Sequence, residues 1–206
     1  LNNYSLIIKN VNIKSKNSTE YKNKSELEVL TAGMFTSSYP LKKIDKNFKR
    51  FLTPKISFRY SPNNTKNIND EDRRIDTKNV YSFNRIQANN TVESGASITI
   101  GSDYLLKNNQ NLDILKFGLA TVFNNKENKD LPRKSTLGNK SSNIFGNLEL
   151  KPSKYFNIEY NFSLDNDLEK SKYDLIKAEI SVNNFVNSFE FLEETAELGS
   201  EGYWSN

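Results

Sequence analysis

Apolar residues recur at every second position over stretches of about ten residues, and that period limits the fold before any other property does. From Val92 to Leu106 the even positions are Val92, Ser94, Ala96, Ile98, Ile100, Ser102, Tyr104 and Leu106; between them stand Glu93, Gly95, Ser97, Thr99, Gly101, Asp103 and Leu105. Phe156, Ile158, Tyr160, Phe162 and Leu164 interleave with Asn157, Glu159, Asn161, Ser163 and Asp165, and Ile176, Ala178, Ile180 and Val182 with Lys177, Glu179, Ser181 and Asn183. Shorter runs occur at Ile56, Phe58, Tyr60 and at Phe185, Phe189, Phe191. Successive strand side chains point to opposite faces, so each segment has one apolar and one polar side. A helix needs apolar residues three and four apart, which these segments lack. The chain reads as all-β. At the front the alternation changes phase near Ile7-Ile8 within Tyr4–Lys16, which predicts a bulge. It slips again within Ser25–Phe35, from Leu27 and Val29 to Leu30, Ala32 and Met34, and residues 36–50 are ambiguous.

The connectors carry the second signal. A long polar stretch separates the strand at 53–61 from that at 92–107, whereas Asn108-Asn109-Gln110-Asn111 turns tightly into a strand at 112–123. Residues 124–140 are again long and polar, and Lys151-Pro152-Ser153-Lys154 is tight. Asp165 to Ser171 is intermediate, and Asn183-Asn184 turns quickly. In an antiparallel sheet, long and short connectors then lie at opposite ends, as in outer-membrane barrels. A soluble sandwich pairs its apolar faces with a second sheet and needs no such asymmetry. The apolar sides of 92–106, 156–164 and 176–182 carry no charge, and a charge on a lipid face costs about 2–4 kcal/mol for Arg or Lys near the midplane. The pattern favours a membrane barrel, with Ile98, Ile100, Tyr104, Phe156, Ile158, Tyr160, Phe162, Ile180 and Val182 facing lipid. The expected fold is an antiparallel up-and-down transmembrane β-barrel segment of about eight or nine strands. Leu1 and Asn206 read as cut ends, so residues 1–206 are expected to be a fragment of one barrel domain. No apolar window has the length of a membrane-spanning helix.

Composition removes most catalytic chemistry. Among 206 residues there is no His and no Cys, which excludes a Ser-His-Asp triad, a thiolate nucleophile, a His- or thiolate-based metal site and disulfides within the chain. The 13 Phe and 10 Tyr argue against disorder despite an apolar fraction of 35%. A net charge of +4 comes from bases mixed with acids, not from a basic stripe, so nucleic acid is not an expected partner. No paired carboxylate site points to a glycosidase. No cofactor, no metal and no enzymatic activity are expected.

Residues 51–107 are more specific. Phe51-Leu52-Thr53-Pro54-Lys55-Ile56-Ser57-Phe58-Arg59-Tyr60-Ser61-Pro62 is followed by Val80-Tyr81-Ser82-Phe83-Asn84-Arg85-Ile86 and then Thr91-Val92-Glu93-Ser94-Gly95-Ala96-Ser97-Ile98-Thr99-Ile100-Gly101. This order resembles the barrel domain of the LptD family, the lipopolysaccharide-assembly proteins of the bacterial outer membrane. Leu131-Pro132, Ser135-Thr136-Leu137 and Ser141-Ser142-Asn143-Ile144-Phe145-Gly146 look like the family's next loop and strand, and Ser38-Tyr39-Pro40-Leu41 like the stretch before the first. Asn90 departs from the Asp common before the Val-Glu pair. The resemblance implies a barrel of about 26 strands, plugged by the lipoprotein LptE and served by a periplasmic domain that receives lipopolysaccharide from the other Lpt bridge components. Lipid A would leave through a lateral opening while the sugar passes through the lumen. This chain would be a middle run of strands, without the gate or the periplasmic domain. Another porin or channel barrel is the first alternative, and a soluble β-sandwich that binds carbohydrate is the second.

The site candidates follow from the faces. Glu93, Thr99, Asp103, Asn157, Glu159, Asn161, Lys177 and Glu179 would line the lumen; a solvated strand face is the plainer reading of each. Asn84 and Arg85 would fold their loop inward, with Arg85 on a carboxylate such as Glu93, against a mobile surface Arg. Asp70-Glu71-Asp72 and Asp165-Asn166-Asp167 resemble cation-binding runs, but the second lacks the Gly and closing Glu of a calcium loop. Solvated loop charge is the better reading of both.

Overall fold

The computed structural model describes residues 1–14, 26–196 and 199–205. Every strand among them belongs to one antiparallel sheet: β1 (Asn2–Ile13), β2 (Glu26–Ser38), β3 (Leu41–Ile44), β4 (Phe48–Ser61), β5 (Gly95–Asn108), β6 (Asp113–Asn124), β7 (Ile144–Ser153), β8 (Phe156–Leu164), β9 (Ser171–Val182), β10 (Phe185–Ala196) and β11 (Gly199–Ser205). Apart from β3, strands adjacent in the chain are adjacent in the sheet, the up-and-down order expected for a barrel wall. β3 resolves the ambiguous segment. It pairs with β4 in the register that β2 has already set, Ser38 opposite Lys55 and Leu41 opposite Leu52. Pro40, which has no N–H to give the ladder, marks the break between β2 and β3. The wall is therefore a path of ten strands, one or two more than the sequence suggested, and among the described residues β1 and β11 are its unpaired edges.

The connectors alternate as expected. Residues 45–47, 109–112, 154–155 and 183–184 are tight; residues 62–94 and 125–143 are long. Asn183 and Asn111 take positive φ in two of the tight turns, a conformation Asn tolerates better than most residues.

The bulge expected near Ile7-Ile8 is absent. β1 and β2 pair without interruption from Asn2 opposite Ser37 to Ile13 opposite Glu26, and β2 keeps its register against β4. Residues 15, 16 and 25 of those two expected strands lie outside the described residues. The physical cause of the phase change is burial, not backbone geometry. Leu30 and Ala32 sit on the other face of the sheet from Leu27 and Val29, and both are buried. Long connectors cover that face, so it too tolerates apolar side chains.

The two long connectors are the second part of the fold. Ile68, Ile75, Val80, Ile86 and Ala88 from residues 62–94 and Leu131 and Leu137 from residues 125–143 form one buried core with Ala120, Val122 and Phe145 of β6 and β7. Backbone bonds join the two connectors: Ile68 N–H donates to the Asp130 carbonyl at 2.8 Å and Arg133 N–H to the Asn69 carbonyl at 3.2 Å. Both lie on the same face of the sheet. That face is covered and the opposite face is bare, with no second sheet against it among the described residues.

Candidate functional site

Pairing registers assign every strand residue to one of these faces. A row on the bare face runs Tyr4, Phe35, Phe58, Ile98, Phe123 across five strands. Tyr4 and Phe35 have ring centroids 4.8 Å apart, and Phe35 and Phe58 stack at 6.4 Å. In β4 the bare positions are Leu52, Pro54, Ile56, Phe58 and Tyr60; in β5 they are Ala96, Ile98, Ile100, Ser102 and Tyr104; in β6 they are Phe117, Leu119, Thr121 and Phe123. The same face of β8 and β9 carries Phe156, Ile158, Tyr160, Phe162, Ile176, Ala178, Ile180 and Val182. None of these is charged. Among the described residues charge stands toward the margins of this band, for example at Lys43 and Arg50 by the tight turns and at Asp174 and Glu193 by the opposite end. Leu52 to Tyr60 is nine residues, the length of a tilted strand that crosses the hydrocarbon core of a bilayer. Ile98, Ile100, Ile180 and Val182 are exposed to solvent, whereas Tyr104, Phe156, Ile158, Tyr160 and Phe162 are half-buried against their neighbours. Tyr160 also donates its hydroxyl hydrogen to Asp174 Oδ1 at 2.5 Å.

The covered face holds the polar side chains in two environments. Over β4 and β5 it is dry. Arg85, in the first long connector, donates through Nε to Glu93 Oε2 at 2.8 Å and through Nη2 to Oε1, a two-pronged contact that fixes both side chains. Its Nη1 donates to Thr99 Oγ1 at 3.0 Å and Nη2 to Ser97 Oγ at 2.9 Å. Arg59 of β4 donates to the Glu93 backbone carbonyl at 2.7 Å and keeps its guanidinium 3.9 Å from the carboxylate. Arg85, Glu93 and Arg59 are 3%, 2% and 6% exposed, so one carboxylate is buried between two cations. Burial alone would push the Glu93 carboxyl up. The charge and hydrogen bonds of Arg85, with the charge of Arg59, outweigh burial and hold it below the ordinary carboxylate range. Glu93 is therefore no wet strand residue, as its place in the alternation had suggested. It precedes β5, which begins at Gly95, and is sealed beneath the connector. Thr99 is sealed with it. Asn84 stays in the connector and donates Nδ2–H to the Ala88 carbonyl at 3.1 Å.

Asp103 lies farther along the covered face, half-exposed and ion-paired with Lys55. The Lys55 ammonium is 5.5 Å from the centroid of the Tyr81 ring. The Tyr81 hydroxyl is buried without a hydrogen-bond partner, and burial, then the Asp103 charge, pushes its pKa up. Gly101 makes room for it: a Cβ there would stand 2.5 Å from the hydroxyl and 2.1 Å from the Leu119 carbonyl oxygen.

Over β8 to β10 the covered face is wet. Glu159, Asn161 and Lys177 line a cavity of about 1020 Å³ between this part of the wall and the two connectors. Asn157 and Glu179 are cross-strand partners on the same face, beside it. Asn157 donates to Glu159 Oε1 at 3.3 Å, and Lys177 pairs with Glu190 at 2.6 Å. The acidic run Asp70-Glu71-Asp72 is paired with Arg133, Arg73 and Arg74, and Asp165 caps its own turn through the backbone N–H groups of Glu169 and Lys170. Among the described residues no acidic group forms a metal-binding cluster.

Sequence reasoning missed Arg59, and a signal for it exists. It sits near the end of β4 on the covered face, and its cross-strand neighbours are Met34 and Ser97. A buried-face Arg with no acid opposite must find its carboxylate elsewhere, here in the connector. Lys9 was missed too: its ammonium donates to the Ala88 carbonyl at 2.9 Å, tying the connector to β1. A family model described as LPS transport system D matches residues 8–204, nearly the whole chain. No curated protein matches it.

Proposed function

This chain belongs to the LptD family of lipopolysaccharide transport proteins, and on that premise we propose that its ten-strand path is part of the outer-membrane barrel that inserts lipopolysaccharide into the outer leaflet. The bare face meets lipid, the covered face lines the lumen, and residues 1–206 form a portion of one barrel wall. The observation that carries this reading is the charge-free band of the bare face, because an apolar run as long as a tilted membrane strand and bounded by charge is what a bilayer selects. Lipid does for this face what a second sheet does in a sandwich, and the edges at β1 and β11 pair with neighbouring strands of the barrel, since an open edge is not tolerated in hydrocarbon.

The covered face supports passage of an amphiphile's polar part. The cavity over β8 to β10 offers carboxylates, ammonium groups and amides to sugar and phosphate, whereas the dry region over β4 and β5 fixes the connectors that narrow the lumen. The chain contributes polar lining and a rigid wall, not chemistry; a translocon needs no nucleophile. The partners in this reading are lipopolysaccharide, the plug lipoprotein LptE, the other Lpt bridge components and membrane lipid. The test is a photoreactive amino acid placed at Lys177 or at Ile100 in cells making lipopolysaccharide. Crosslinks to lipopolysaccharide at Lys177 and to phospholipid or lipid A chains at Ile100 are expected. Lipopolysaccharide sugar captured from Ile100 and absent from Lys177 would reverse the faces and refute the reading.

A further inference from the structure

The unit formed by residues 62–94 and 125–143 is held to the wall in two unlike ways. Toward β4 to β7 the attachment is buried: the core around Val80, Ile86, Leu137, Val122 and Phe145, and the Arg85–Glu93 pair beneath Thr99. Thr77 adds a bond from Oγ1 to Asn147 Oδ1 of β7 at 2.8 Å. Toward β9 and β10 the unit faces the polar cavity; Ser141 shares two hydrogen bonds with Asn166 in the turn between β8 and β9, and the contacts that reach β10 are ionic. Arg74 Nε donates to Glu194 Oε1 at 3.1 Å, and its Nη2 donates to Oε2. Lys134, from the other connector, places its ammonium 3.4 Å from each oxygen of the same carboxylate. Asp72 lies 3.4 Å from Arg74 and 3.2 Å from Lys134, and the Arg74 guanidinium carbon is 5.4 Å from the Tyr173 ring centroid.

Glu194 thus receives a cation from each connector. The side chains of Arg74, Lys134 and Asp72 are 34%, 41% and 60% exposed, and that of Glu194 is 18% exposed. Each cation of these pairs is open to solvent, so the pairs are screened by salt. The apolar core and the sealed Arg85–Glu93 pair are not. The β10 side of the unit therefore rests on pairs that salt screens; on the far side the exposed Lys66–Glu28 pair at 3.0 Å is screened too, but there the buried core holds.

We propose that the two-connector unit is a hatch, hinged along β4 to β7 and latched electrostatically to β10 by Arg74, Lys134 and Glu194. Opening the latch joins the cavity over β8 to β10 to the space beneath the hatch and leaves the wall intact. This goes beyond the transport reading: it concerns how the connectors move, and it holds or fails whatever the barrel carries.

The chain has no cysteine, so introduced cysteines take spin labels without background. Lys78→Cys with Ser188→Cys reports the distance from hatch to β10, and Asn89→Cys with Thr53→Cys on β4 reports the hinge side. In the full protein in detergent, raising the ionic strength to about 1 M, where the Debye length is about 3 Å, lengthens and broadens the first distance and leaves the second unchanged. Glu194→Gln gives the long distribution at low salt, and Arg74→Lys, which keeps the charge, gives the short one. A first distance that is the same at low and high salt overturns the latch. So do two distances that lengthen together, which report loosening of the whole unit. The salt comparison on the labelled parent decides the matter even where Glu194→Gln does not fold.

Discussion

Replacing Glu93 by Gln removes one buried negative charge and leaves two buried guanidiniums without it. Arg85 and Arg59 are both almost fully enclosed, and each directs a nitrogen at Glu93: Arg85 at 2.8 Å from the carboxylate, Arg59 at 3.9 Å. Removing one partner of a buried ion pair costs about 3–5 kcal/mol, because the remaining charge stays desolvated and unpaired. Here two charges remain, which argues for at least about 3 kcal/mol even though the amide oxygen of Gln still accepts one hydrogen bond. Arg85→Met is milder. It leaves Glu93 facing Arg59 3.9 Å away, so an opposite charge stays in place and the loss falls below that of Glu93→Gln. The order of the two variants, Glu93→Gln worse than Arg85→Met, follows from the two-to-one charge arrangement. Amide hydrogen exchange of residues 80–93 reads the effect, since it follows the population of locally opened molecules. The amides of Val80, Ser82 and Gln87 donate within this connector and supply the signal. A loss of about 3 kcal/mol accelerates their exchange more than a hundredfold, while strand amides of β8 and β9 hold. Acceleration below about threefold, or an effect of Arg85→Met larger than that of Glu93→Gln, would refute the reasoning.

The same carboxylate sets a pH dependence. Its folded pKa is depressed, so its stabilisation is complete above the unfolded value of about 4.3 and is lost as pH falls through the lower folded value. The difference in exchange between parent and Glu93→Gln is therefore full at pH 6 and shrinks only in strong acid; a difference already gone at pH 5 would contradict the buried pair. Gly101→Ala places a Cβ 2.1 Å from the Leu119 carbonyl oxygen and 2.5 Å from the Tyr81 hydroxyl. The backbone of β6 cannot yield cheaply, so about 1–3 kcal/mol is lost, visible as a lower temperature for the heat-induced mobility shift of the folded protein on gels. An unchanged temperature would show that Tyr81 is not held where the structure has it.

Much of the wall was legible because period-two alternation and connector length are local properties. β5, β8 and β9 carry one apolar and one polar phase, and three of the four tight turns bear Asn. Legibility fails where the long connectors cover the sheet. Ala120, Val122 and Phe145 are apolar on the covered face, and Leu30 and Ala32 mimic a slipped register, because a second apolar environment erases the alternation. Residues 62–94 and 125–143 look polar residue by residue, yet Ile68, Ile75, Val80, Ile86, Leu131 and Leu137 are spaced irregularly to fill one core, and irregular spacing has no period to detect. Of the Arg85 cluster, Glu93 could be named from the sequence as a partner, but its burial and the part played by Arg59 depend on contacts between residues 34 apart in the chain.

The assignment of the two faces is tested most directly by which of them touches acyl chains. A small fluorophore on single introduced cysteines, at Phe58 and Ile100 on the bare face and at Thr53 and Asn157 on the covered face, is read in vesicles of lipids brominated along their chains. Strong quenching at residues 58 and 100 with little at 53 and 157 is the predicted result. Equal quenching on both faces, or quenching confined to 53 and 157, would contradict a wall whose bare face lies in the membrane.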